Sequence, residues 1–330
     1  MGEGKGGGGY LVDWKLLDID LPGGNADQPQ EDTGNRLILL KEKNDLFAKA
    51  EPVIGPGINL SREPIIIEGG VEIGNFFSQK ACFRRTSPEG LDNCQDDWGI
   101  AVDESSRTIV GADGVGASIF GGQAAERVCL AIVNDFNASV ADLLPIDPVD
   151  IDTSIESASL PKIHEEAIRE KVKAGEIAAS TIVAARVERS EEEYLLKYRF
   201  VGDGGIVVAR LGQRRTPNSE IVFSMVAPAE QAPSQVIWDQ KTKSWILAGE
   251  EKSGSLIVRR DDIVIIFSDG LLTQPAFRGS SAKQVFQNAV GKANLRATTM
   301  QVVPSVVVDE LISSGEGNFS DDVFVGAMAV

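Results

Sequence analysis

From about Phe76 onward, short apolar runs bounded by Gly, Asp or Ser alternate with stretches in which apolar residues recur every three or four positions. The runs at 98–102, 108–112, 181–187, 194–201, 206–211, 263–267 and 323–330 read as strands, many being β-branched, as buried or half-buried strands require. The second pattern reads as helix. Ala125, Val128, Cys129, Ile132, Val133 and Phe136 share one helical face, and 162–174, 282–293 and 304–313 repeat the spacing. The last has Pro304 at its first helical position, where a missing N–H costs nothing. Strands outnumber helices, and 194–201 with 206–211 reads as a hairpin joined by Gly-Asp-Gly-Gly. The pattern predicts antiparallel sheets with helices outside them, an α+β fold rather than a doubly wound parallel sheet.

The first 75 residues are expected to form an extension rather than a separate domain. MGEGKGGGG should be mobile, since each glycine loses backbone freedom on ordering and buries no side chain. The polar stretch 23–35 follows, and the runs at 37–40 and 65–67 are expected to be strands that pack on the body, 76–330. Within that body, 213–255 is rich in Pro, Ser, Glu and Gln with isolated apolar residues such as Trp238 and Trp245, and is expected to be a long surface insertion or flap.

Composition narrows the chemistry. The chain has 330 residues, 42% of them apolar, enough for one large core or two smaller ones, and 49 acidic against 32 basic side chains leave a net charge of −17. Such a chain repels phosphate backbones, so nucleic acid is not an expected partner. A single histidine, His164, excludes any mechanism needing two imidazoles, and its charged helical context reads as solvated surface. Three cysteines (Cys82, Cys94, Cys129) without a C-x-x-C pair fit neither a disulfide framework nor a zinc ribbon, which points to a reducing cytoplasm. With no run of about 18 apolar residues, no apolar core of a signal peptide and Gly6 where myristoylation needs Ser or Thr, no membrane attachment is expected.

Four aspartates share one placement, at or beside the end of an expected strand: Asp96 in CQDDWGI, Asp113 in VGADGVG, Asp269 in FSDGL and Asp321 in SDDVFVG. Strand ends are held by a sheet, so these side chains can converge although they are 17, 156 and 52 positions apart. Carboxylates packed together cannot all stay ionised unless cations join them. Mg²⁺ and Mn²⁺ suit such a set, taking oxygen ligands and retaining waters, and two such ions can polarise a phosphoryl oxygen and activate a water. A lone Asp-Gly is usually a turn; the ordered set is what carries the argument. The glycines at 114–122 lack both G-x-G-x-x-G spacing and the Lys-Ser/Thr of a P-loop, so no nucleotide site is read there.

Over roughly 81–330 the chain resembles the metal-dependent Ser/Thr protein phosphatases of the 2C type (the PPM family), in particular their bacterial branch. CQDDW, GADGVG, AASTIVAARV, FVGDGGIVVARLG, IIFSDGL and SDDVFV follow the order of that family's motifs. The resemblance implies an αββα sandwich, two antiparallel sheets packed face to face with helices outside. It implies hydrolysis of phosphoserine or phosphothreonine by water activated at a binuclear Mg²⁺ or Mn²⁺ centre, without a phosphoenzyme. Asp113 would bridge the metals and Gly114 would bind through its carbonyl. Asp96, Asp269 and Asp321 would complete the set, and Asp203, with Asp269, would hold the third metal of some members. The implied partner is a phosphorylated protein, such as a Ser/Thr kinase or its targets.

Asp97 and Asp322 stand one position from expected ligands. The family's phosphate-gripping arginine is Leu91 here, which leaves Arg84 and Arg85 as candidates for that role, and the histidine that some members carry after D-G is Val115. The arginine of the family's G-D-S-R element is Gly205. These departures motivate an alternative, a catalytically weak member whose fold serves as a binding or regulatory module.

Overall fold

Alternation along the strands sets the layering. In β7 (Gly205–Leu211), Ile206 and Val208 point one way and Val207 and Ala209 the other, because successive side chains leave opposite faces of a strand. The same holds in β12 (Asp262–Phe267), where Val264 and Ile266 face inward and Ile263, Ile265 and Phe267 face outward. Both faces are apolar, so both must be covered.

In a computed structural model of the chain the described residues are 37–40, 95–103, 105–115, 118, 120–145, 166, 169–170, 173, 177–190, 193–226, 234–273, 275–277, 281–298, 302–314 and 323–330. They form two larger antiparallel sheets and a small one. The six-stranded sheet runs β1 (Leu37–Leu40), β2 (Asp96–Val102), β3 (Ser106–Asp113), β5 (Ile182–Ser190), β6 (Glu193–Val201) and β11 (Lys252–Val258). The four-stranded sheet runs β13 (Val325–Ala329), β12, β7 and β8 (Ser219–Val226). In the small sheet, β9 (Gln235–Asp239) lies between β10 (Ser244–Ala248) and β4 (Ala179–Ser180).

The inner faces of the two larger sheets share one core, in which Trp98, Ile100, Ile109, Val183 and Phe200 meet Ile206, Val208, Val264, Ile266 and Phe324. Helix α1 (Gly121–Asn134) covers the outer face of the six-stranded sheet through Ala125, Val128 and Ile132. Helices α2 (Ser281–Arg296) and α3 (Val303–Ser314) cover the outer face of the other through Phe286, Val290, Val307 and Leu311. Glu310 of α3 ties them together by pairing with Lys292 and Arg296 of α2. The observed architecture is the αββα sandwich that the resemblance implied.

Four expectations change. Strands 194–201 and 206–211 form no hairpin: β6 pairs with β5 and β11, whereas β7 pairs with β8 and β12. The glycines between them carry the chain from one sheet to the other. Gly202 has φ of +118°, and a Cβ there would lie 2.5 Å from Thr181 Cγ2, so both conformation and space exclude a side chain. Residues 213–255 are not a surface flap. They contain β8, β9, β10 and most of β11, which extend both large sheets and build the small one, and Trp238 and Trp245 stack edge to face within the core beneath α1. Pro304 is the second residue of α3 rather than the first, and Phe136 lies just past the end of α1, though still buried in its core.

The described residues all belong to one compact unit, Asn35–Val330, and β1 pairs antiparallel with β2. The expectations for residues 1–9, 23–35 and 65–67 and for a boundary near 75 lie outside the described residues, as do Arg84, Arg85, Leu91, Cys82, Cys94, His164, Asp321 and Asp322. Of the expected helix 162–174, the described positions Glu166, Arg169, Glu170 and Lys173 are helical and exposed. Among the described residues, no helix is long and apolar enough to cross a membrane.

Candidate metal centre

Asp113 is the last residue of β3 and Asp96 the first of β2, and the two are direct register partners. Partners directly opposite in an antiparallel pair share a face. Counting along β2 and β3, that face is the inter-sheet one, since Trp98, Ile100 and Ile109 lie on it. Asp97 is opposite Ala112, which belongs to the core beneath α1, so it occupies the other face, where one of its oxygens accepts the N–H of Trp98 at 2.6 Å. Strand parity therefore separates the adjacent aspartates: Asp96, not Asp97, is on the side of Asp113.

Two further carboxylates come from the facing sheet. Asp203 lies in the glycine-rich crossing between β6 and β7, and Asp269 opens a single helical turn, Asp269–Leu272, directly after β12. Carboxylate oxygens of Asp113, Asp203 and Asp269 all lie within 4.8 Å of one another, and each of the three residues is half-buried. The cluster sits at the edge of the sandwich where strands from both sheets end. At such distances three negative charges disfavour one another strongly, more so where water is partly excluded. An oxygen-only, carboxylate-rich donor set fits hard divalent cations and does not fit the softer metals that favour thiolate or imidazole.

Neighbouring residues hold this geometry. The Asp113 N–H donates to Thr181 Oγ1 at 3.0 Å, while its carbonyl accepts the Thr181 N–H at 2.8 Å and the Ser180 hydroxyl at 3.0 Å. The Thr181 methyl packs against Gly202, one residue before Asp203, so a single side chain supports two of the three carboxylates. Ser268 does comparable work for Asp96. Its hydroxyl donates to Asp96 Oδ2 and accepts the Phe324 N–H, both at 2.8 Å, and its own N–H donates to the Phe324 carbonyl at 3.0 Å. Asp96 is wholly buried, and this bond fixes it to the end of β12. Gly114 lies against the first residue of α1, with room for no side chain: a Cβ would fall 2.3 Å from the Gly121 carbonyl carbon.

The structure thus brings together Asp113, Asp203 and Asp269, with Gly114 next to Asp113 and Asp96 across from it. Thr181, Ser180 and Ser268 lie within AASTIVAARV and IIFSDGL, but the sequence pattern assigns them no role of their own.

A family model for protein phosphatase 2C matches residues 89–298. The chain belongs to the protein phosphatase 2C family. No curated protein sequence matches it. Solved structures similar to it include RsbX in complex with magnesium, 12% identical, covering 80% of this chain and 100% of that one with a TM-score of 0.44. The S. agalactiae serine/threonine phosphatase is 16% identical, with coverage of 77% and 98% and a TM-score of 0.43. Serine-threonine phosphatase 2C from Toxoplasma gondii is 12% identical, with coverage of 81% and 99% and a TM-score of 0.41. The phosphatase 2C family is metal-dependent, and among the described residues the carboxylate cluster is the group suited to metals. One departure from the family pattern has a steric cause. At Gly205 a Cβ would lie 2.5 Å from the Phe267 ring, so the arginine of G-D-S-R has no room at this position.

Proposed function

We propose that the chain is a metal-dependent phosphoprotein phosphatase that hydrolyses phosphoserine or phosphothreonine at a binuclear magnesium or manganese centre, with 76–330 as its catalytic body. The observation that carries this reading is the convergence of Asp113, Asp203 and Asp269 from separate strand ends to within 4.8 Å. Asp113 and Asp269 would hold the metal pair together with Asp96, Asp321 and the Gly114 carbonyl, and Asp203 with Asp269 would hold a third ion. When bound, the ions supply Lewis-acid polarisation of the phosphoryl oxygen and activation of the attacking water.

The chain's own residues fix where the cations sit. Thr181 anchors Asp113 through its backbone, and Ser268 orients Asp96. With Val115 following Asp113-Gly114, no imidazole faces the leaving oxygen from that position, and solvent water protonates it. Arg84 or Arg85 takes the place of the missing arginine at Leu91, so replacing the operative one by Ala raises KM with little change in kcat. An unchanged KM in both variants removes that assignment. The substrate is a phosphorylated cytoplasmic protein, a Ser/Thr kinase or one of its targets.

Turnover of an aryl phosphate with Mn²⁺ tests the reading, with Asp113→Asn and Asp269→Asn beside the unmodified chain. Metal-dependent hydrolysis abolished by either change supports it. No turnover in the unmodified chain favours the binding-module alternative that Leu91 suggests, and full activity in both variants overturns the assignment of the site.

A further inference from the structure

The opposite end of the four-stranded sheet carries a second polar site. A cavity of about 440 Å³ is lined there by Arg210, Arg214, Arg259, Arg260, Asp261 and Asp262, among others. Strand β7 runs from the aspartate crossing to this cavity, and its seven residues place the two about 20 Å apart.

The charges around the cavity do not cancel. Arg210 and Asp262 form a two-pronged pair, Nε to Oδ1 at 2.9 Å and Nη2 to Oδ2 at 3.0 Å, and the Arg259 N–H adds a third bond to Asp262 at 2.9 Å. That pair is neutral. Arg214 donates to a carbonyl, Thr298 O, at 3.2 Å, which leaves its charge unmatched. Among the described residues the exposed Arg259 and Arg260 side chains form no ion pair. Three guanidiniums therefore face one remaining lining carboxylate, Asp261, with Glu220 beside Arg210 just outside the lining, on a chain whose net charge is −17. A local excess of positive charge against such a background attracts anions.

The cations stand on held backbone. Buried Asn294 of α2 donates to the carbonyls of Gln213 and Thr216, both at 2.9 Å, and pins the loop that carries Arg214. On the facing turn, Asp261 adopts φ of +78° and its N–H donates to Val330 O at 3.3 Å. Pre-ordered loops lower the entropy lost on binding. Guanidinium forks match the paired oxygens of phosphate and carboxylate, and the volume falls within the range of about 300–1,000 Å³ of small-molecule sites.

We infer that this arginine-lined cavity binds a doubly charged oxyanion carried on a small molecule, a phosphate or a dicarboxylate, at a site separate from the aspartate centre. It stands whether or not the chain turns over a phosphoester.

Calorimetric titration of the full chain in magnesium buffer tests it, with inorganic phosphate in one arm and succinate in the other. The variants are Arg259→Ala with Arg260→Ala, the same pair changed to Lys, and Asp113→Asn. Saturable binding of either probe is expected. Phosphate alone marks a phosphoryl ligand, succinate alone a dicarboxylate, and both a site that reads the shared oxyanion. Affinity should fall about tenfold or more in the double Ala variant, less in the double Lys variant, and by no more than about twofold in Asp113→Asn. The circular dichroism and aryl phosphate turnover of the double Ala variant should match those of the unmodified chain. Absence of binding, or phosphate binding that survives the double Ala change and disappears in Asp113→Asn, overturns the inference.

Discussion

At one end of the sandwich, Asp113, Asp203 and Asp269 crowd their carboxylates within 4.8 Å of one another; at the other, Asp262, 1% exposed, accepts both prongs of Arg210 and the N–H of Arg259. Asp262 opens β12 and Asp269 follows it, yet the surroundings at the two ends differ in kind. Around Asp262 the chain supplies donors, and burial of the charge is matched within the fold. At the cluster three carboxylates face one another, a crowding that divalent cations would relieve. Burial alone does not separate the two ends, because Asp262 is more deeply buried than Asp113, Asp203 or Asp269. Crowding of like charge does.

The largest expected effect separates the two ends by activity. Asp113→Asn or Asp269→Asn should lower metal-dependent turnover of an aryl phosphate about a thousandfold or more, since positioning and charge stabilisation are lost together. Asp262→Asn should leave turnover within about threefold, a change too small for a group that touches the chemistry. Comparable losses at both ends would erase the distinction.

Stability should reverse that order. Without metal, Asp113→Asn removes repulsion and should raise the thermal midpoint or leave it unchanged. Asp262→Asn breaks a matched pair and should cost about 1–3 kcal/mol, below the usual range for buried pairs because Arg210 is partly exposed to solvent. Denaturant unfolding of both variants reads this directly, and a destabilised metal-free Asp113→Asn would contradict the crowding argument.

The smallest effect concerns the support of the cluster. Thr181→Val keeps the methyl against Gly202 but leaves the Asp113 N–H without its acceptor, so Mn²⁺ affinity should fall about tenfold, while Thr181→Ser retains it. Equal affinities in the two variants would assign Thr181 to packing alone.

Much of this arrangement was legible beforehand, for a physical reason. Asp113 and Asp269 stand where β-branched runs stop at Asp-Gly, so the strand ends can be read from local pattern, whereas β7 and β12 are apolar on both faces and do not reveal which face is inner. Other features are not local. The bond from Ser268 to Asp96 spans 172 positions, and nothing near either residue announces the other. The Gly-Asp-Gly-Gly turn resembles a hairpin because its glycines permit one; only the pairing of β7 with β12 rather than β6 shows that it crosses between sheets and delivers Asp203 to the cluster. Residues 213–255 hid their strands because polar residues interrupt them. In β8 the burial is mostly partial, and the Trp238 to Trp245 pairing that anchors the small sheet is a cross-strand contact.

We propose that the three converging aspartates form a divalent-cation site. Calorimetric titration of Mg²⁺ or Mn²⁺ into the unmodified chain, Asp113→Asn and Asp262→Asn tests it most directly. Saturable binding that is lost in Asp113→Asn and kept in Asp262→Asn is the expected result. Equal binding in all three, or none in the unmodified chain, would contradict it.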